Sequence, residues 1–130
     1  RTPAGDRRVY PVSGGVFEGA RLKGVVSPLI GSDLLLLRAD GAFQQDVRLL
    51  LVTEDDAPIL MTYRGVRRDS AEVDQRLARG EIVDSSDYYL RTTPYFETSS
   101  EKYGWLNGIV AVARGGRIPG GVRYEVHEIL

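Results

Sequence analysis

The chain has 130 residues, enough for one hydrophobic core and too few for two ordinary domains. Seventeen Lys and Arg stand against eighteen Asp and Glu, so a formal net charge of −1 gives no clustered positive charge for nucleic acid or an anionic membrane surface. The absence of cysteine excludes disulfides, thiolate nucleophiles and sulfur metal ligands.

A cytoplasmic location is the default expectation. No signal peptide is visible, and the aliphatic run 34–37 is far too short for a membrane span. Fifteen glycines and six prolines cut the chain into short pieces, as many strands and tight turns require. The alternating or apolar runs are 16–26, broken at Gly19 and Gly24, then 34–38, 42–52 and 59–66. They continue as 88–93, 95–98, 103–114 and 122–130. Gly31-Ser32 is expected to separate two of these runs. Asp40-Gly41 is a hairpin signal, because both residues tolerate positive φ.

One helix is predicted between the strands. Asp69 can cap it, Glu72 stands three residues later in capping-box register, and Gly80 follows the last turn. Val73 and Leu77 form a narrow apolar stripe, suited to sealing a barrel end or lying on a sheet. The pattern predicts a mainly β, single-domain chain over residues 1–130, as an antiparallel β-barrel of about eight or nine strands with one short helix. A closed barrel removes exposed edges, and at this size its interior is filled by side chains or holds one small ligand.

The stretch 88–107 crowds Arg91, Glu97, Lys102 and Asn107 among six aromatic rings, the composition of a lined concavity. Tyr89, Arg91 and Thr93 share one strand face, and Tyr95 and Glu97 continue it across Pro94. Tyr103, Trp105, Asn107 and Ile109 alternate in the same way; Trp105 would supply apolar area and Asn107 orientation. In 42–52, Asp46 and Arg48 share a face with Leu50 and Val52, whereas Val47, Leu49 and Leu51 share the other. Either face could point inward. Buried charges would then need partners or a ligand. Tyr63 alternates with Met61 and Gly65 and could donate to a ligand oxygen.

Other chemistries lack their residues. His127 is the single histidine, so a histidine-rich zinc site is excluded, and it is assigned a structural role. Glu54-Asp55-Asp56 lacks the ligand spacing of a calcium loop. The glycine pairs match neither the P-loop nor the dinucleotide fingerprint, and no serine stands in a nucleophile elbow. No metal and no cofactor are expected.

Three stretches together resemble one known family. They are Gly14-Gly15-Val16-Phe17-Glu18-Gly19; Arg38-Ala39-Asp40-Gly41 with Asp46-Val47-Arg48; and residues 91–98, RTTPYFET, with 103–107, YGWLN. The family is domain of unknown function 3237 (DUF3237), and the resemblance runs from Arg8 to Ile129. It implies a compact, dimeric, antiparallel β-barrel whose cavity is lined by Asp46, Arg48, Arg91, Glu97 and Asn107. The chain departs from the family pattern in carrying Leu34 to Leu37 where a tryptophan is frequent. It also has Asp55-Asp56-Ala57-Pro58 in place of a D-D-G turn.

Three functions fit these expectations. The first is a cofactor-independent enzyme acting on a small oxygenated molecule by isomerisation, cyclisation or elimination. In it Arg48, Arg91, Trp105 and Asn107 would bind substrate, while Glu97, Asp46, Tyr63 and Tyr103 would move protons or orient it. The second is a noncatalytic barrel for a small aromatic or acidic ligand. The third is a structural or accessory dimer with a filled polar core.

Overall fold

The computed structural model describes residues 1–130. One antiparallel sheet is built from β1 (Asp6–Pro11), β2 (Gly15–Glu18), β3 (Lys23–Leu37), β4 (Phe43–Thr53), β5 (Pro58–Arg68), β6 (Tyr89–Glu97), β7 (Ala111–Ile118) and β8 (Gly121–Glu128). Strands β3 to β8 form a meander, and β1 and β2 both pair with the free edge of β3. The Asp40-Gly41 turn joins β3 to β4 as predicted, with Gly41 at φ 84°.

The expected closed barrel is corrected to an open, curled sheet, because β1 and β8 do not pair. Nevertheless the curl is tight. Tyr63 on β5 and Tyr124 on β8 meet with ring centroids 5.2 Å apart, although two strands lie between them in the sheet. In a flat sheet that separation would be about 14 Å. The unpaired edges carry charge, including Arg7 and Arg8 on β1 and Arg123, Glu125 and His127 on β8, which discourages edge-to-edge association.

Other differences have local causes. The segment around Gly31 does not end a strand but forms an irregularity inside β3, where the register with β4 shifts between Val26 and Gly31. Gly31 has φ 131°, and a Cβ there would lie 2.6 Å from the Arg48 carbonyl oxygen, so no other residue fits without movement. Strand β6 runs unbroken through Pro94, pairing it with Tyr63; the β6–β7 ladder has already ended at Thr92 and Ala113. The run 103–114 divides into a 3-10 turn at Gly104–Gly108 and strand β7, so Trp105 and Asn107 do not share a strand face.

The helix α1 spans Ala71–Ala78, and its N-cap is Ser70, whose Oγ accepts from the Val73 N–H at 3.2 Å. Asp69 is drawn off instead by Arg67, Nε to Oδ2 at 3.0 Å. Two apolar clusters fill the curl. Val47, Leu49, Leu51, Ile59, Met61, Tyr103 and Leu106 form the larger one. Val73, Val83, Tyr88 and Leu90 form the smaller, with Leu77 against it, so the helical stripe seals one end as its spacing suggested.

The loop after β6 is tied down by Asn107. Its Oδ1 accepts from the Thr98 N–H at 2.8 Å and its Nδ2 donates to the Thr98 carbonyl at 2.9 Å. Replacing Asn107 with alanine removes both bonds and should cost about 1–2 kcal/mol. Thermal unfolding should show a midpoint lowered by a few degrees; an unchanged midpoint would mean that the loop is held by other contacts.

Candidate functional site

Strand alternation decides which residues can enter the curl. On β4 the inward set is Gln45, Val47, Leu49 and Leu51, all buried. Across the ladders this face continues through Asp33 on β3, Tyr63 and Gly65 on β5, and Leu90 and Thr92 on β6. Tyr124 reaches the same interior from β8, packed over its cross-strand partner Gly115; a Cβ at Gly115 would lie 2.6 Å from the tyrosine ring.

Asp33, Tyr63 and Tyr124 make the titratable centre of this interior. Asp33 is half-buried, and loss of solvent pushes its carboxyl above the usual range. The Asp46 charge adds to that rise, while a hydrogen bond from the Asp46 N–H to Asp33 Oδ1 at 3.4 Å opposes it. Burial likewise raises both phenols. Tyr63 is also raised by Tyr124 and by the Asp33 charge, and Tyr124 by the Asp33 charge. The result is a carboxyl that can gain or lose a proton beside two phenols that stay neutral. One step along the same face, Gln45 Oε1 and Thr92 Oγ1 are buried without hydrogen-bond partners. Gly65 lies between them in the ladder, where a Cβ would fall 2.5 Å from the Thr92 methyl and 3.2 Å from Gln45 Oε1. Arg67 and Asp69 wall the helix end. Burial raises the Asp69 carboxyl, the neighbouring Arg67 charge opposing, and the Arg67 guanidinium lies 4.1 Å from the centre of the Phe43 ring.

Of the residues expected at the site, Tyr63 lies in this interior. Asp46 and Arg48 point to the outer face, where the Asp46 carboxylate meets Arg48 at 3.5 Å and Arg64 at 3.7 Å. Their charges are satisfied across the outer surface, which removes the reason to bury them. Arg91 and Glu97 also face outward, since β6 buries its alternate residues Leu90, Thr92 and Pro94. Asn107 spends both amide atoms on Thr98. Trp105 packs on the larger apolar cluster under the Arg21 guanidinium, 3.5 Å from its ring centre. Tyr103 is buried at the β4–β5 tip, where its hydroxyl donates to Asp55 Oδ1 at 2.7 Å. That bond, with those from Thr53 and Lys102, holds the Asp55 carboxyl well below the usual range.

Asp33 and Tyr124 were missed by sequence reasoning. The signal for Asp33 was a lone acid within the aliphatic run 30–37, in register with Gly31, Leu35 and Leu37. Tyr124 alternates with Val122 and Val126 and reads as an ordinary half-buried strand residue.

A concavity of about 670 Å³ lies on the outer face of β5, β6 and β7. Arg64, Arg91, Arg114 and His127 stand around it, with Val66, Val112 and Tyr89 among its apolar surfaces. No three His, Asp or Glu side chains converge as a metal-binding group, and no helix is long and apolar enough to cross a membrane.

Comparison with known proteins places this geometry in a family. A UPF0311 protein of Bradyrhizobium diazoefficiens is 36% identical over 129 residues, 99% of this chain and 84% of that protein. A β-barrel-like protein of Acinetobacter baumannii superposes with a TM-score of 0.82 at 42% identity, over 98% of this chain and 80% of the other. A hydroalkoxylation enzyme of Penicillium herquei is 33% identical over 110 residues, 81% of this chain and 54% of that protein. The crystal structure of an enzyme from the same fungus shares the fold, with a TM-score of 0.61 at 24% identity, covering 96% of this chain and 85% of that one. The family model described as protein of unknown function (DUF3237) matches residues 1–129, and the chain belongs to that family.

Proposed function

We propose that this protein is a cofactor-independent enzyme that performs acid–base chemistry on a small oxygenated molecule held inside the curled sheet. Cyclisation is the favoured reaction, within the wider group of isomerisation, cyclisation and elimination. The observation that carries this reading is the grouping of Asp33, Tyr63 and Tyr124 in one partly desolvated interior, with all three proton affinities raised. Perturbed titratable groups brought together in one partly desolvated place favour a reactive site. The named activity of the Penicillium relative lends support, because hydroalkoxylation adds an alcohol O–H across a carbon–carbon double bond.

The chain's own residues suffice for such a step on an enone that also carries a hydroxyl. Ionised Asp33 takes the hydroxyl proton as that oxygen bonds to the β-carbon. The π electrons move to the carbonyl oxygen, where the Tyr63 and Tyr124 hydroxyls donate to the developing enolate. Asp33 then returns the proton to the α-carbon, so a C–O and a C–H bond replace an O–H bond and a π bond. No oxidant or reductant enters the balance. Gln45 Oε1 and Thr92 Oγ1 would orient the substrate through their free hydrogen-bonding positions. Those same two groups favour the second reading, a noncatalytic binding barrel, since they can recognise a ligand without transferring a proton.

Incubation with a library of hydroxylated enones, phenols and aromatic acids, followed by thermal shift and mass spectrometry, separates the readings. A compound that stabilises the protein and is converted to a product of unchanged mass supports cyclisation or isomerisation. Stabilisation without conversion supports the binding barrel.

With a converted substrate in hand, Asp33→Asn should lower kcat about 10²–10⁴-fold, as removal of a general base does. Tyr63→Phe should lower it about 10²-fold, as removal of an oxyanion donor does. Undiminished turnover in Asp33→Asn would remove Asp33 from the chemistry. The pH profile should rise as Asp33 ionises at its raised value and stay level through neutrality, because the phenols keep their protons there.

The same substitution has an opposite effect on stability. A carboxyl whose folded pKa lies above the unfolded 3.8 contributes its stability below that pH and loses it as pH rises through the folded value. At pH 7 the half-buried Asp33 carboxylate therefore weakens the fold. Asp33→Asn should melt higher than the parent at pH 7–8, and the difference should shrink toward pH 4. A variant that melts lower at neutral pH would contradict the burial cost assigned to Asp33.

A further inference from the structure

The arginines of the outer concavity lie on the face of the strands opposite the interior centre, with Gly65 and Thr92 bordering both. Its floor is exposed where the sheet splays. Strands β6 and β7 pair only at Arg91 with Arg114 and Thr92 with Ala113, whereas β5 and β6 pair through nine positions. The short ladder that remains makes Arg91 and Arg114 direct cross-strand partners. Like charges in that arrangement repel and weaken a sheet unless an anion lies between them.

No carboxylate forms an ion pair with Arg91 or Arg114 within 4 Å, although Asp84, its carboxyl lowered chiefly by hydrogen bonds from Ser86, also feels the Arg114 charge. The Arg91 side chain makes one hydrogen bond, from a terminal guanidinium nitrogen to the Leu90 carbonyl at 2.9 Å, and has no ion pair. Arg114 faces Glu125 across the β7–β8 ladder, yet the two form no ion pair within 4 Å. Arg64 reaches only Asp46, at 3.7 Å, and shares that carboxylate with Arg48. The surrounding surface is apolar as well as cationic. Val66 and Val112 line it, and the Tyr89 ring lies beneath the Arg68 and Arg91 guanidiniums, at 4.5 and 4.9 Å from its centre.

We propose that this outer concavity is a binding site for a small aromatic carboxylate, with its anionic group between Arg91 and Arg114. Guanidinium forks match a carboxylate with two parallel hydrogen bonds. The aromatic body lies on Val66 and Val112 against Tyr89, and Arg64 closes the rim. A volume of about 670 Å³ accommodates such a ligand, being in the ordinary range for small-molecule pockets. A bare phosphate would satisfy the arginines but leave the apolar surfaces wet. The carboxylate with an aromatic body uses both halves of the site.

Benzoate is the probe, titrated into the ¹⁵N-labelled protein, with benzyl alcohol and inorganic phosphate as comparisons. Benzoate should move the Tyr89, Val112 and His127 amides saturably, and benzyl alcohol should not. Phosphate should bind more weakly than benzoate. Arg91→Met and Arg114→Gln should each weaken benzoate at least tenfold, and the spectrum of each variant reports whether the sheet is intact. Either variant alone tests the site if the other fails to fold. The proposal is overturned if benzoate produces no saturable shift, if benzyl alcohol binds equally well, or if the affinity survives both substitutions. It is also overturned if the same amides shift with protein concentration alone, because a second copy of the chain then covers the face. Interior turnover should be unchanged in Arg114→Gln, so the two sites succeed or fail separately.

Discussion

The contact between Tyr63 and Tyr124 organises the interior. Tyr63 borders the larger apolar cluster and Tyr124 the smaller, so the pair joins two cores that would otherwise be separate. The contact forms only if β6 and β7 curl enough to bring β8 over β5. Gly115 makes room for the Tyr124 ring, and Gly65 permits the close approach of Thr92 on the same face. Burying two phenols against each other excludes water from the neighbourhood of Asp33, and the raised proton affinity of all three groups follows from that exclusion. Packing and reactivity are therefore one arrangement.

Most of the fold was legible in the sequence. Turn residues separated the strands, the Asp40-Gly41 hairpin formed where its chemistry placed it, and the Val73–Leu77 stripe seals one end of the curl. The failures came where local pattern and long-range geometry part company. Strand β1 carries almost no buried residue, so it has no alternation to read; it is recruited by the free edge of β3. The 3-10 turn at Gly104–Gly108 imitates a strand because Tyr103, Trp105 and Ile109 are all apolar ends of one cluster reached from a turn. Closure could not be read at all, since it depends on whether the first and last strands meet.

The site was harder to read than the fold, and the reason is charge satisfaction. Asp46, Arg48, Arg91 and Glu97 alternate with buried residues, and alternation alone does not say which set faces in. The cost of an unpaired buried charge argues for an inward ligand only if the charges are buried. On the outside, Asp46 pairs with two arginines on its own and the neighbouring strand, and that cost never arises. The aromatic block that made the sequence distinctive is largely a support. Asn107 fixes the loop after β6, and Tyr103 and Lys102 clamp Asp55 at the β4–β5 tip. Meanwhile the interior acid, Asp33, sits among leucines where it draws no attention.

The proposed reading requires a route for a ligand to the interior, and the two unpaired sheet edges leave a flank that no backbone ladder seals. Asp33 is cross-strand partner to Tyr10 on β1, and Tyr10 remains 48% exposed at the edge facing away from the meander. Hydrogen-bonded closure between β1 and β8 would join the two edges through a continuous backbone ladder and seal the flank beside this pair. Tyr10 on β1 and the half-exposed Val126 on β8 stand on the two edge strands that no such ladder joins. Helix α1 packs on the smaller apolar cluster and the 3-10 turn on the larger, so neither replaces the missing β1–β8 ladder. Small displacements of β1, whose residues contribute little to either core, would widen that flank without disturbing the Tyr63–Tyr124 contact. An open sheet thus fits the proposed reading, in which a partly desolvated acid must still be reached by a small molecule.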